Sequence, residues 1–489
     1  MKLWAGPVRN EKGVALPLAL FALVMLTGLL LAFLSMAGME PSMAANLSDL
    51  TRARYMADAG VEWAYDQLAA APLSGTGSWS DTLAKGGKMA TNQALPGLPA
   101  SFGTFTITMR NDTLAGDNQI TGLAACNAQG ATDCGPLLPT TTNDNNLIVI
   151  VTATGTLNGG TPNQVQRQIQ VVVKRISLPP FPGTWNCPGL QCDVNSGATA
   201  HVHMRGEDTK RDGSAGSGPL KFSMTVANGV NPSTGKTYEK DLEDSMTRHH
   251  KNEMSGLDQR GLPARVGIQR GSDENCPCEG EYSIAPQSVL PANEQLTPQK
   301  IADFINQVKA QGTVNIAKAT TGNPIEIVDG KVTATGPPGG GYQYPVGSKP
   351  LGTVTAPTIT YVRGTPDATD KAVVKISGNT SGAGILIIEE GNLEISGTLR
   401  WDGIILLTGK DVGITLKKGH RLFMYGAMVV NETDATEKAG SYELLIDQSA
   451  HLDSSDPAGQ LTNFLASQEN LDMVQGLRSL VKITTWREI

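Results

Sequence analysis

The chain has 489 residues, and at about 100–200 residues per compact unit that predicts roughly three structural units and excludes a single small domain. Lys and Arg number 39 against 46 Asp and Glu, a formal net charge of −7. No basic surplus marks a polyanion as the main partner. With 55 Gly, 28 Pro and only 5% aromatic residues, turn-rich β structure is expected rather than a helical bundle, while 40% apolar residues exclude a wholly disordered chain.

Residues 1–13 (MKLWAGPVRNEKG) carry Lys2, Arg9 and Lys12 against Glu11, and residues 14–39 then form an uncharged run of 26. About 20 helical residues cross the ~30 Å hydrocarbon core of a bilayer, so this run is long enough to span it. The basic flank predicts a cytoplasmic N-terminus, with everything after Glu40 outside. A secretory signal would have a shorter apolar region, about 7–15 residues, and a better cleavage site than Ala37-Gly38-Met39. Beyond the membrane, Met43, Leu47, Leu50, Ala57, Val61, Ala64 and Leu68 recur at helical spacing, with Asp49, Arg52, Glu62 and Asp66 off that stripe. The apolar helix is therefore expected to continue as an amphipathic one, about 85 Å long if unbroken. Pro17 and Pro41 are places for a kink, and residues 38–41 for local melting.

A short basic leader ending in Gly, an apolar helix and an amphipathic half resemble the type IV pilin class. The resemblance implies a cleavage site at Gly13 and Val14, and packing of the mature helix through Leu18, Ala19, Leu23, Leu26 and Leu30. The segment Arg54-Tyr55-Met56-Ala57-Asp58-Ala59-Gly60-Val61-Glu62-Trp63-Ala64 is similar to the post-membrane motif of the PilX-type pilus-assembly family. Residues 152–175 and the terminal triplet Trp486-Arg487-Glu488 resemble the same family. One departure stands out. Pilins usually carry Glu at the fifth mature position, where this chain has Leu18, as PilX-type proteins and one minor pseudopilin of type II secretion also lack it. The resemblance then implies a minor subunit that primes or caps a fibre, since a membrane-buried carboxylate needs a partner and Leu18 needs none. Its partners would be other pilins and the inner membrane. Loss of residues 1–13 would leave 36 basic against 45 acidic residues, an exported net charge of −9.

The exported chain is read as three further regions, making an α+β protein of five segments: leader 1–13, helix 14–71, antiparallel β head 72–178, an irregular β region 179–320, and a β-solenoid-like domain 321–489. In the head, residues 104–109 (TFTITM), 147–154 (LIVIVTAT) and 166–174 alternate as antiparallel strands, the last two joined through Asn158-Gly159-Gly160. In the third region, Thr297 caps a helix with Pro298 in its first turn, Ile301, Phe304, Ile305 and Val308 on one face, and Gly312 as its stop. Further on, the runs starting at Ile385, Ile404 and Ala427 recur 19 and then 23 residues apart. That period suits one β-solenoid turn of three short strands with Gly at the corners, and an antiparallel sandwich is the alternative. Residues 481–489 (VKITTWREI) read as a closing strand.

Six cysteines, Cys126, Cys134, Cys187, Cys192, Cys276 and Cys278, all lie on the exported side. Disulfides are the default there, with Cys126–Cys134 and Cys187–Cys192 favoured by short separation. His201 and His203 would share a strand face, but no C-x-x-C pair accompanies them, and no metal or cofactor is expected. Residues 229–237 (GVNPSTGKT) imitate a phosphate loop with the wrong glycine spacing and a Pro inside, so a turn between strands is the better reading. Glu207, Asp208 and Asp212 flank a turn that offers oxygen ligands, but Lys210 and Arg211 sit among them, and a solvated turn is expected. Lys410, Lys417, Lys418, His420 and Arg421 form a candidate binding patch for DNA or a surface ligand, or a charged edge that blocks strand-to-strand aggregation. No nucleophilic motif or carboxylate pair is singled out, so no enzyme is expected. A tip adhesin or DNA-binding module, and a membrane-anchored polysaccharide-acting β-solenoid enzyme, are the competing functions.

Overall fold

The computed structural model describes residues 15–72, 76–112, 117, 120, 147–196, 201–232, 234–246, 254–264, 283–339, 341–365, 372–417, 421–434, 442–446 and 461–489. Helix α1, Ala15–Ala70, has 56 residues and runs without interruption through Pro41. Neither the break nor the local melting expected at residues 38–41 occurs. At 1.5 Å per residue the helix is about 84 Å long. Its two halves meet different surroundings. Residues 16–48 are exposed all round, whereas Ala53, Met56, Ala57, Val61, Ala64 and Leu68 are buried. Met43 and Leu47, expected on the packed stripe, are two-thirds exposed, because the sheet begins only at the level of Asp49.

The buried half lies on a five-stranded antiparallel sheet built from β1 (Lys88–Gln93), β2 (Thr104–Asn111), β3 (Ile148–Leu157), β4 (Val165–Arg175) and the last strand, Val481–Glu488, in that order. Period-two alternation turns Phe105, Ile107, Val149, Val151, Ile169 and Val171 toward α1 and Thr106, Thr152, Thr154 and Gln168 away. A short helix, α2 (Trp79–Ala84), capped by Ser78, leads into β1. The closing strand therefore does not finish the C-terminal unit. It returns to the head and pairs with β4, Trp486 opposite Val171.

The remaining strands share a second, mostly parallel sheet. Ala372–Glu389 and Asn392–Gly409 pair over their whole length, Ile385 opposite Ile404, and Arg421–Glu432 follows with Ala427 opposite Ile404. These are the 19- and 23-residue offsets of the sequence, and parallel pairing excludes the antiparallel sandwich. Each expected coil of three short strands is instead one bent strand of 18 residues in the first two rows. Only Glu390 and Gly391 separate Glu389 from Asn392, yet Asn392 pairs back at Ala372, the start of the preceding strand. Parallel neighbours normally need a crossover of a dozen residues or more. So short a link, about 11 Å at most over three Cα steps, works only if each strand curls round until its end approaches its own beginning. The result is a curled, half-barrel sheet. Accordingly Ile376 and Leu386 of one strand, and Ile395 and Leu407 of the next, meet in one shared core.

The bend is placed by glycine. Gly384, Gly403 and Gly426 stack in register with φ of 119°, 138° and 144°, a region that side chains disfavour. A Cβ on Gly403 would sit 2.1 Å from the Gly384 carbonyl oxygen.

Strands of the region read as irregular belong to this same sheet. Gly183–Cys187 pairs with Arg421–Glu432, Val194–Ser196 with Leu444–Ile446, His201–Arg205 with Leu461–Leu465, Phe222–Val226 with Gly183–Cys187, and Ile284–Pro286 with Phe222–Val226. The boundary drawn at 320/321 thus runs through one continuous sheet. Helix α3, Tyr238–Ser245, packs against its far edge, and α4, Pro298–Gln311, carries the chain across to the other edge. Thr297 caps α4, Gly312 ends it in the left-handed conformation, and Ile301, Phe304, Ile305 and Val308 pack on Ile385, Ile387 and Leu406, as the periodicity predicts. Helix α5, Gln468–Gln475, covers the same face through Leu471 and Val474.

Glu443 is fully buried beside this sheet, accepting the backbone N–H of Asp193. Burial pushes its carboxyl up to about 8, with Asp193 and Glu432 adding to the effect. In the unfolded chain it ionises near 4.3, so the fold holds a proton that unfolding releases, and stability falls as pH rises from that value through 8. Glu443→Gln is expected to flatten the loss in urea-unfolding midpoint between pH 5 and 8. An unchanged slope contradicts this assignment. Gly403→Ala should cost at least about 2 kcal/mol in the same assay, whereas Gly322→Ala, with open space around it, should be neutral.

Candidate assembly interface: a bare helix and its mount

The helical half from Leu16 to about residue 48 offers only side chains to its surroundings. Leu18, Leu23 and Leu26 are each 65% exposed and Leu30 is 53% exposed, and Ala19 is exposed as well. At about 100° per residue, Ala19, Leu23, Leu26 and Leu30 share one stripe, and Leu18 lies a quarter turn away. An 18-residue window of this half reaches a mean hydropathy of 2.5 with none of it buried. No acidic residue occupies the first turn. The expected cleavage site, Gly13 and Val14, lies outside the described residues. Bare apolar surface of this extent is stable in lipid or against other apolar helices, and not in water.

The mount is built by close approach. A Cβ on Gly155 would meet the Ala53 carbonyl oxygen at 2.0 Å, and one on Gly60 would meet Ile107 Cδ1 at 2.8 Å. Glycine at 155 lets the sheet backbone touch the helix backbone, and glycine at 60 leaves room for the Ile107 and Phe105 side chains. Of the motif Arg54 to Ala64, Met56, Ala57, Gly60, Val61 and Ala64 form the contact, Tyr55 points outward at 66% exposure, and Trp63 leans on the Phe105 ring at 6.0 Å. Arg54 pairs with Glu488 of the last strand at 3.9 Å. Burial raises the neighbouring Asp58 carboxyl above its usual range, Arg54 opposing this and Glu488 adding to it.

The far end of α1 leaves carbonyls without intrahelical donors and has no basic residue of its own in the last turn. Arg175, at the end of β4 and 2% exposed, supplies the donors. Its guanidinium donates to the Leu68 carbonyl and, at 3.0 Å, to that of Ala69, and stacks on Trp79 at 5.0 Å. Trp79 Nε1 also donates to Leu68, at 3.0 Å. A cation there complements the negative end of the helix dipole. Tyr65 donates to the Val481 carbonyl at 2.6 Å, and Arg478 pairs with Asp66 at 2.8 Å, tying the helix to the last strand. A basic residue closing the run VVVKR was the available sequence signal for Arg175, but the helix end it serves lies over 100 residues away.

The other sequence candidates do not assemble into a site. Lys417 pairs with Glu394 at 3.4 Å, Lys410 sits on the turn beyond Asn392–Gly409, and Arg421 opens the following strand. Lys418 and His420 lie outside the described residues, so the patch is not seen as a unit. The Cys187–Cys192 disulfide is present, while Cys126, Cys134, Cys276 and Cys278 also lie outside. His203 faces Arg205 at 3.4 Å, and no metal-binding group occurs among the described residues. Within residues 229–237 the Gly235 N–H donates to the Asn231 carbonyl in a turn, but the segment leads from a strand into α3, with Thr237 as cap, instead of joining two strands. The acidic turn is exposed at Glu207, Lys210, Asp212 and Gly213, as a solvated turn is, and its carboxylates also bond within the protein. Asp208 accepts the N–H groups of Gly218 and Gln468, both at 2.7 Å, Ser255 donates to Glu207, and Asp212 binds Ser214.

No family model and no curated protein sequence matches the chain. Among solved structures, the competence-associated pilin ComZ from Thermus thermophilus aligns at 10% identity over 90% of this chain and 97% of that one, with a TM-score of 0.20. So low a score carries no argument about the fold, and the likeness to a pilin rests on the helix itself.

Replacing Arg175 with Met should strand the last-turn carbonyls of α1 and cost about 2–4 kcal/mol, read as a lower urea midpoint in detergent-solubilised protein. A midpoint equal to the parent's would remove Arg175 from the mount.

Proposed function

We propose that this chain is a pilin-like membrane protein of the PilX type, a non-enzymatic minor component that primes or caps a type IV pilus. The observation that carries the reading is the division of α1, bare and apolar for its first half and clamped to the head sheet for its second. The bare half would hold the subunit in the inner membrane, N-terminus in the cytoplasm, and then pack beside other pilin helices. The clamped half would carry the exported domains along with it. Leu18 supports a priming or terminal place, since no charged partner is required there. In this reading the curled parallel sheet is a β-solenoid, supported by its in-register rows and stacked glycines, and acts as cargo at the end of the assembly.

Mass analysis of the N-terminus from hosts with and without prepilin peptidase tests the class. A chain starting at Val14 only in the competent host is expected, and an uncut Met1 in both would reduce the protein to an anchored β protein. Cysteines introduced at positions 19–32 should also crosslink to a pilin in intact cells. A complete absence of such products sinks the assembly role.

A further inference from the structure

The linker that leaves the head, residues 177–181, crosses a cleft of ≈ 540 Å³ whose other walls are α4 and α5. Its lining mixes apolar residues, Leu178, Pro179, Phe181, Phe304 and Leu471, with the amide residues Asn293, Gln307, Gln468 and Gln475. The size and mixed lining are those of a small-molecule site.

Three charged residues line the cleft, Lys221, Lys300 and Asp303, giving a net charge of 2 − 1 = +1 in a protein whose total is −7. Two of them are engaged. Lys300 donates to the carbonyls of Ala292, Asn293 and Gln295 at 3.0, 3.4 and 2.6 Å, and Asp303 accepts from Gln299 at 2.8 Å. Lys221, just before Phe222–Val226, is half-buried, and its ammonium has no hydrogen-bond or ion-pair partner among the described residues. The carboxylates whose field reaches it are held elsewhere, Asp208 by Gly218 and Gln468 backbone N–H groups and Asp472 by the Gln468 side chain. Burial lowers the Lys221 ammonium to about 8, Asp208 and Asp472 opposing the shift. A half-buried ammonium with no carboxylate in direct contact, only the field of Asp208 and Asp472, still gains from an anion that contacts it.

We propose that this cleft binds a small organic carboxylate, its charged group on Lys221 and its apolar body against Phe181, Phe304 and Leu471. A single free ammonium matches a monoanion, and the apolar wall distinguishes an organic acid from an inorganic ion. This inference is independent of the pilus reading.

Trace acetylation with acetic anhydride at pH 8, read lysine by lysine by mass spectrometry on the full chain in detergent, tests it with benzoate as probe. Saturating benzoate should slow acetylation of Lys221 at least tenfold while the other lysines react as before, and benzyl alcohol should leave Lys221 unprotected. In equilibrium dialysis, Lys221→Gln should bind benzoate at least tenfold more weakly than the parent. Should that variant fail to fold, the protection of the unmodified protein decides alone. No protection by benzoate, equal protection by benzyl alcohol, or protection by inorganic phosphate as strong as by benzoate would each overturn the proposal.

Discussion

The whole architecture depends on one helix serving two environments. Residues 16–48 of α1 present apolar side chains in every direction, and residues 49–70 present only one face to a sheet. No single solvent satisfies both. Burying a Leu or Val side chain is worth about 1.5–3 kcal/mol, so the eleven bare ones between Leu16 and Leu47 form a strong drive toward lipid or other helices. The clamped half is held by close packing on the head sheet. That is the physical sense of the close glycine approaches at Gly60 and Gly155, and of Arg175 closing the helix end.

The larger β unit is joined to that rod at its C-terminal end as well. Chain leaves the head after β4, builds the curled sheet, and comes back through Arg478 and Tyr65 to lay its last strand on β4. The head sheet therefore takes the chain both where it leaves for the larger unit and where it returns, with β4 between β3 and the final strand. Within the larger unit the order of stacking differs from the order of the chain. It enters at Gly183–Cys187, near the middle of the stack, runs outward to Ile284–Pro286, crosses on α4, and returns from the other edge until Arg421–Glu432 meets the entry strand.

That path explains which parts were legible. Helix α4 was readable residue by residue because its cap, its stop and its apolar stripe are all local. Three head strands, β2, β3 and β4, were equally plain because each carries its own apolar, β-branched pattern, whereas β1, with the polar run KMATNQ, showed none. The rows after residue 372 announced themselves by recurrence. The strands between residues 183 and 286 gave no such sign. Each is two to five residues long, too short to show a period, and three of the six take a partner about 240–260 residues away.

From the sequence alone came the length and apolarity of the leading helix, its amphipathic continuation (read from Met43, where the structure starts it near residue 49), the antiparallel head and the 19- and 23-residue recurrence, because each is a property of neighbouring residues. The tertiary structure alone decided that Pro41 leaves the helix unbroken, that the final strand belongs to the head, that the irregular region completes the curled sheet, and that Arg175 and Lys221 stand where they do. Those outcomes depend on which distant segments come together, and burial and pairing, not local preference, settle that choice.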